Sequence, residues 1–430
     1  MQVFHSGTEA FEATLSRLAQ RCEEEIVAEV ETSVRQVLRE VRQRGDEALL
    51  EYTRKWDGVD LAREEIELPR ERTDGALEAI DGESRSALET AAERIRAFHT
   101  RQLPASWEFM DDHGNLLGQK VTPLDRIGVY VPGGKAAYPS SVLMNVLPAK
   151  VAGVREILVV TPPGSLRENP AVLAALCLAD VDRIFQVGGA QAVAALAYGT
   201  ETVPQVDKIV GPGNLFVTTA KRLVFGRVDI DMIAGPSEVL IITDGHGDPS
   251  HLAADLLAQA EHDEQAVPLL VSTSEPFLRD ILKALDELLR QGPWEHVASQ
   301  AIERNGKAFV VGDLDEACEM ANRIAPEHLE LAVGDPEAIL GKVRHAGAIF
   351  LGSHSAETLG DYVAGPNHVL PTSGTARFFS PLGVYDFVKR SSILRISTQG
   401  LQGLGPKAAH LARMEGLHAH AEALDVRMKK

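Results

Sequence analysis

From Thr8 to about His99, apolar residues recur three and four positions apart within a heavily charged sequence, as in Val30-Glu31-Thr32-Ser33-Val34-Arg35-Gln36-Val37-Leu38. That period matches one face of an α-helix and predicts an amphipathic helical region. Past Pro104 the texture changes, and Arg126-Ile-Gly-Val-Tyr-Val-Pro132 reads as a strand running into the glycine turn Gly133-Gly134. Short apolar runs at 157–160, 183–187, 208–210 and 239–242 then alternate with Ala-rich helical stretches. After the Gly/Asp/Pro-rich turn at 245–249 a second series follows, with runs at 269–271, 308–311, 329–331 and 348–351. Apolar strands alternating with helices mark a parallel sheet covered on both faces. The pattern predicts an α/β protein with two Rossmann-like parallel-sheet domains, a helical N-terminal arm and a helical tail from Leu401.

Composition narrows the class of function. The 430 residues suffice for two or three domains, and 44% hydrophobic with 24% charged residues is ordinary for a globular protein. A net charge of -19 repels phosphate backbones and anionic lipid, so neither nucleic acid nor membrane is expected as a partner. No stretch is apolar enough to span a bilayer, and the Glu-rich run Glu23 to Glu25 argues against a transit peptide. Cys22, Cys177 and Cys318 are too few and too scattered for a disulfide framework, which fits a reducing cytoplasm.

Eleven of the fourteen histidines lie after position 245, which directs the search for a metal or proton-transfer site to the C-terminal half. Gln259 and His262, three apart on a helical pattern, would share one face and offer a carbonyl oxygen and an imidazole to the same ion. Taken alone, such a pair reads more readily as a solvated polar helix face. Glu327-His328 sets a carboxylate beside an imidazole, suited to activating water and deprotonating an alcohol, although the dipeptide Glu-His occurs three times, at 261, 295 and 327. Asp361 and His368 fall in a Gly/Pro-rich segment after a strand and a helix, where either a binding loop or a capped turn is ordinary. Gly188-Gly189-Ala190-Gln191 and Gly211-Pro-Gly-Asn214 would bring backbone N–H groups to a phosphate, but neither is the dinucleotide fingerprint, and no Walker A sequence is present. The cysteines lie in packing or charged contexts, so oxidation of an aldehyde by this chain would use water rather than a thiolate.

Together these segments resemble the histidinol dehydrogenase family over nearly the whole chain: Val131-Pro-Gly-Gly-Lys-Ala-Ala-Tyr-Pro-Ser-Ser-Val-Leu-Met, Val187-Gly-Gly-Ala-Gln-Ala, Gly211-Pro-Gly-Asn, Ala234-Gly-Pro-Ser-Glu238, Gln259-Ala-Glu-His262, Pro326-Glu-His-Leu329, Gly365-Pro-Asn-His-Val-Leu-Pro371, and Glu415 followed five residues on by His420. The resemblance implies oxidation of L-histidinol through its aldehyde to L-histidine with two NAD. It implies one zinc ion per subunit on Gln259, His262, Asp361 and His420, the last from the second chain of a homodimer, with His418 an outside alternative. It further implies substrate contacts from Ser237, Gln259, His262, His328, Asp361, His368, Glu415 and His420, and NAD contacts from Tyr130, Gln191 and Asn214. His328 would be the base and Glu327 the activator of water. The matching domain plan has a helical arm at 1–25, a first α/β domain from 26–129 with 237–381 carrying zinc and catalysis, a second α/β domain at 130–236 contacting NAD, and a helical dimerisation domain at 382–430. Two other readings are a relative on the same scaffold oxidising another polar alcohol, and a zinc hydrolase in which Glu327 or Glu261 activates water. A third is a binding protein without catalysis.

Overall fold

The computed structural model describes residues 1–20, 28–133, 138–292 and 294–429. Two six-stranded sheets organise the chain. One has the order Gln2–His5, Lys307–Val310, Val267–Ser272, Glu238–Thr243, His328–Ala332, Ala348–Leu351, with every neighbouring pair parallel. The other runs Glu67–Leu68, Arg183–Phe185, Glu156–Val160, Arg126–Tyr130, Lys208–Val210, Asp229–Ile230 and is parallel except at its first strand. Helices cover both faces, so central strands such as Glu238–Thr243 are buried throughout. That is why they read as unbroken apolar runs rather than alternating ones. A glycine allows close contact between layers: the helix Gly189–Tyr198 lies so near the strand Arg126–Tyr130 that a Cβ on Gly128 would come within 2.6 Å of Leu196.

Three parts of the expected domain plan are corrected. The N-terminal stretch is no free helical arm, because Gln2–His5 is an edge strand paired with Lys307–Val310. The helix Glu9–Ala19 then lays Phe11 edge-on against Phe309, with ring centroids 5.5 Å apart. Residues 28–129 do not join 237–381. The helices Ala28–Arg44 and Asp46–Asp57 bury Val34, Val37, Val41 and Leu49 in one core with Ala194 and Leu196, and Arg126–Tyr130 is a central strand of the second sheet. An amphipathic stripe reports that something covers it, not which sheet does. Nor is 382–430 wholly helical: Val388–Arg395 pairs antiparallel with Leu116–Pro123, which pairs with Trp107–Met110. The helices Thr398–Met414 and His418–Met428 follow this small sheet.

The segment after Asp361 ties the two domains together. The guanidinium of Arg94 donates to the carbonyl of Val363 at 2.6 Å, and the amide of Asn367 donates to the carbonyl of Met144 at 2.7 Å. Val369, Leu382, Val384 and Phe387 complete the core of the second domain. Among the described residues no helix is long and apolar enough to cross a membrane.

Candidate active site

The candidate residues converge at the amino ends of two neighbouring strands. The helix Pro249–Ala260 runs back along the sheet, so Gln259 in its last turn and His262 just past its end arrive beside the first residue of the strand Glu238–Thr243. The strand His328–Ala332 lies alongside, with Val239 opposite His328. The backbone of one residue, Glu238, organises three site residues. The N–H of Glu238 donates to Glu327 Oε2 at 2.9 Å, and its carbonyl accepts from His328 Nδ1 at 3.1 Å. The same carbonyl accepts from the amide nitrogen of Gln259 at 3.2 Å, with the carboxamide oriented as its neighbours require.

A carbonyl only accepts, so this contact places the proton of neutral His328 on Nδ1 and leaves the lone pair on Nε2. Nε2 is buried without a hydrogen-bond partner. Its nearest acidic neighbour, Asp361 Oδ1, stands 3.7 Å away, beyond hydrogen-bond reach. The other oxygen of Asp361 is 3.9 Å from His262 Nε2. His368 donates from Nδ1 to the backbone carbonyl of Asp361 at 2.8 Å, which again leaves Nε2 as the free nitrogen. His262, 44% exposed at its side chain, forms the open side of the cluster.

The electrostatics point to a shortage of positive charge. Burial pushes the carboxyls of Glu327 and Glu357 up to about 8 each. Glu330 is held well above the usual carboxylate range by burial and by Asp255 and Glu357. Burial opposes a charge on His328, but the surrounding Glu357, Glu327 and Asp361 outweigh it and raise the imidazole well above its ordinary value. Asp361 is lowered, its burial outweighed by the imidazoles of His328, His368 and His262. His262, Glu357 and Asp361 each place a ligand atom within 4.8 Å of the others'. Imidazole nitrogen, carboxylate oxygen and amide oxygen form a donor set that fits a dication of zinc type, whose charge this site would accommodate.

The second set of predicted residues lies at the carboxyl ends of the other sheet. The chain passes from Arg126–Tyr130 to Glu156–Val160 and Arg183–Phe185 on one side, then returns to place Lys208–Val210 on the other. A crevice at such a reversal is where nucleotides bind in open α/β sheets. Tyr130 is buried, its hydroxyl accepts from Gly189 N–H at 3.1 Å, and burial pushes its pKa up to about 12. Gln191 is buried with Oε1 unpartnered. Asn214 caps the helix Leu215–Val224, its side-chain oxygen accepting from Phe216 and Val217 N–H at 3.1 and 3.2 Å, so its amide nitrogen is the group left for a ligand. Gly211, at φ 109°, passes so close to Tyr130 that a Cβ would fall 2.2 Å from the tyrosine carbonyl oxygen.

Gln259, His262, Glu327, His328, Asp361 and His368 are thus gathered in one place, and Ser237 directly precedes the organising residue Glu238. Glu415, His418 and His420 are not. They are exposed at or between the C-terminal helices, and none joins the cluster among the described residues. Cys318 is buried and Cys177 half-buried, both thiols pushed up by burial, as expected of packing residues; Cys22 and residues 134–137 of the first motif lie outside the described residues. Sequence reasoning passed over Glu357, Glu330, Asp255 and the backbone role of Glu238. For Glu357 a signal existed: it stands four residues before Asp361, one helical turn away on the same face.

A site of imidazoles and carboxylates on one α/β domain and glycine-rich nucleotide-type loops on another define a two-domain α/β oxidoreductase. The comparisons make this specific. The family model described as histidinol dehydrogenase matches residues 20–428. Curated histidinol dehydrogenases are 57% identical over 400 residues in Syntrophotalea carbinolica, covering 93% of each chain, and 56% identical over 418 residues in Nitrosomonas europaea, covering 97% of this chain and 96% of that one. The crystal structure of histidinol dehydrogenase from Elizabethkingia anophelis superposes with a TM-score of 0.94 at 36% identity, covering 100% of this chain and 98% of the other. The chain belongs to the histidinol dehydrogenase family, NAD-dependent oxidoreductases of histidine biosynthesis. That membership sets aside the hydrolase and binding-protein readings.

Proposed function

We propose that this protein oxidises L-histidinol through L-histidinaldehyde to L-histidine with two NAD, as a cytoplasmic homodimer with one zinc ion per subunit. The observation that carries the reading is the unpartnered, buried Nε2 of His328 beside Gln259, His262 and Asp361. Gln259, His262 and Asp361 would hold the zinc together with His420 from the second chain. Zinc bound there would orient the substrate through its imidazole and amine, which selects for an imidazole-bearing alcohol. Ser237, His368 and Glu415 would add substrate contacts, and Tyr130, Gln191 and Asn214 would contact NAD.

His328 takes the hydroxyl proton on Nε2 while a hydride leaves the carbinol carbon for NAD, giving the aldehyde. Glu327, held by the Glu238 N–H, then takes a proton from water as the water oxygen adds to the aldehyde carbon, while protonated His328 returns its proton to the aldehyde oxygen and becomes neutral again. The resulting diol gives up a hydroxyl proton to His328 and its remaining carbon-bound hydrogen as a hydride to the second NAD, leaving the carboxylic acid, which loses its proton to water as the carboxylate product. Retaining the aldehyde between steps protects a reactive intermediate.

The test is the NADH formed per L-histidinol consumed, before chelation, after it, and after zinc is restored. Two per substrate, lost on chelation and regained with zinc, supports the reading. Histidinol left untouched by the zinc-replete protein overturns the substrate assignment.

A further inference from the structure

Gln259 is fully buried, and a carboxamide can lie either way round with little change in shape. As a metal ligand it must offer oxygen, so something has to hold its nitrogen away from the ion. Two acceptors flank that nitrogen: the Glu238 carbonyl at 3.2 Å and Glu357 Oε1 at 3.0 Å. The carbonyl is already shared with His328 Nδ1 at 3.1 Å, which makes Glu357 the nearer acceptor and the only side chain of the two. Glu357 is itself 1% exposed, and its backbone N–H donates to the buried Glu330 Oε1 at 3.1 Å. Glu330 lies on the strand that begins with His328, and Glu357 opens the short helix that carries Asp361. Base, ligand and this carboxylate are therefore built onto one strand and one helical turn.

We infer that Glu357 is a positioning residue that draws the amide nitrogen of Gln259 inward and so presents its carbonyl oxygen to the metal. The inference rests on Gln259 being a zinc ligand, as proposed above. Its rival is that Glu357, whose oxygen lies within 4.8 Å of ligand atoms of His262 and Asp361, binds the metal directly. The two roles differ in what they require: positioning needs only an acceptor oxygen, whereas direct ligation uses the carboxylate charge.

Zinc affinity of the full-length metal-free protein, measured by competition with a colorimetric chelator, separates them without recourse to turnover. Glu357→Leu should weaken zinc about 10- to 100-fold, the usual cost of losing a group that orients a ligand. Glu357→Gln, which keeps an acceptor oxygen, should stay within about threefold of wild type. Adding Glu357→Leu to Gln259→Ala should cost nothing beyond Gln259→Ala alone, because both act through one ligand atom. A Gln variant as weak as the Leu variant, or additive losses in the double variant, overturns the inference in favour of direct ligation. Should Glu357→Leu fail to fold, the Gln variant alone decides, retention supporting positioning and a loss of tenfold or more overturning it. A wild-type protein that binds no zinc overturns the zinc reading and this inference together. Wild-type binding with no effect of Glu357→Leu overturns the inference alone.

Discussion

The imidazole of His328 owes its basic nitrogen to a backbone carbonyl: by accepting from Nδ1, Glu238 fixes the tautomer and turns Nε2 toward Asp361. Replacing His328 by Asn should lower kcat about 10²- to 10⁴-fold, the usual share of a general base, with a smaller change in KM, read by steady-state NADH formation. Glu327→Gln should act later. Single-turnover kinetics should show the first NADH forming at a rate near that of wild type and the second slowed, since only hydration of the aldehyde needs that carboxylate. A separate acid response comes from His99, buried beside Asn367 with Nδ1 2.8 Å from Gln102 Oε1 and its pKa lowered by burial. A histidine depressed in the folded state stabilises above its unfolded value near 6.5, and that contribution is lost as pH falls below it. His99→Gln should flatten the fall in Tm between about pH 7 and 5. The paired residues Glu327-His328 and Gln259-x-x-His262 were legible because their chemistry sits within one turn or one dipeptide. Glu357 was passed over because its partner, Gln259, is almost a hundred residues away in sequence.

At the scale of elements, the turn that begins at Gly211 is clamped from both sides. Its N–H donates to Asp231 Oδ2 at 2.7 Å, its carbonyl accepts from Lys221 Nζ at 2.9 Å, and Lys221 and Asp231 form a buried ion pair with each other. Asp231 follows the strand Asp229–Ile230 and Lys221 rides on the helix Leu215–Val224, so the pair couples strand, helix and turn. Lys221→Met should cost about 3–5 kcal/mol in chemical denaturation, because it strands a buried carboxylate. In the surviving folded protein the KM for NAD should rise more than that for histidinol. Unbroken apolar runs placed the central strands within a residue or two, whereas Gln2–His5 and Glu67–Leu68 escaped notice. Neither is an unbroken apolar run, and each is an edge strand defined by a partner more than a hundred residues away.

In the whole molecule the C-terminal part leaves Trp107, Phe109, Leu394, Leu411 and Met414 exposed, more apolar surface than a solvated arm needs. The same part carries Glu415 and His420, absent from the cluster within one chain. The proposed homodimer would account for both by burying this surface and lending His420 to the opposite site. Mixing Glu327→Gln chains with His420→Asn chains should then restore about a quarter of wild-type activity, since half the dimers are mixed and each holds one intact site. Failure to regain activity in confirmed heterodimers counts against a shared site.

By itself the sequence determined the α/β class, the central strands and the candidate pairs Glu327-His328 and Gln259-x-x-His262, because each is written in local periodicity or in residues close along the chain. The tertiary structure decided which sheet each helix covers, that the first strand belongs beside residues 307–310, and that Glu238 and Glu357 both stand against the amide of Gln259. Those outcomes depend on hydrogen bonds and packing between segments far apart in sequence, and no local pattern encodes the partner's address.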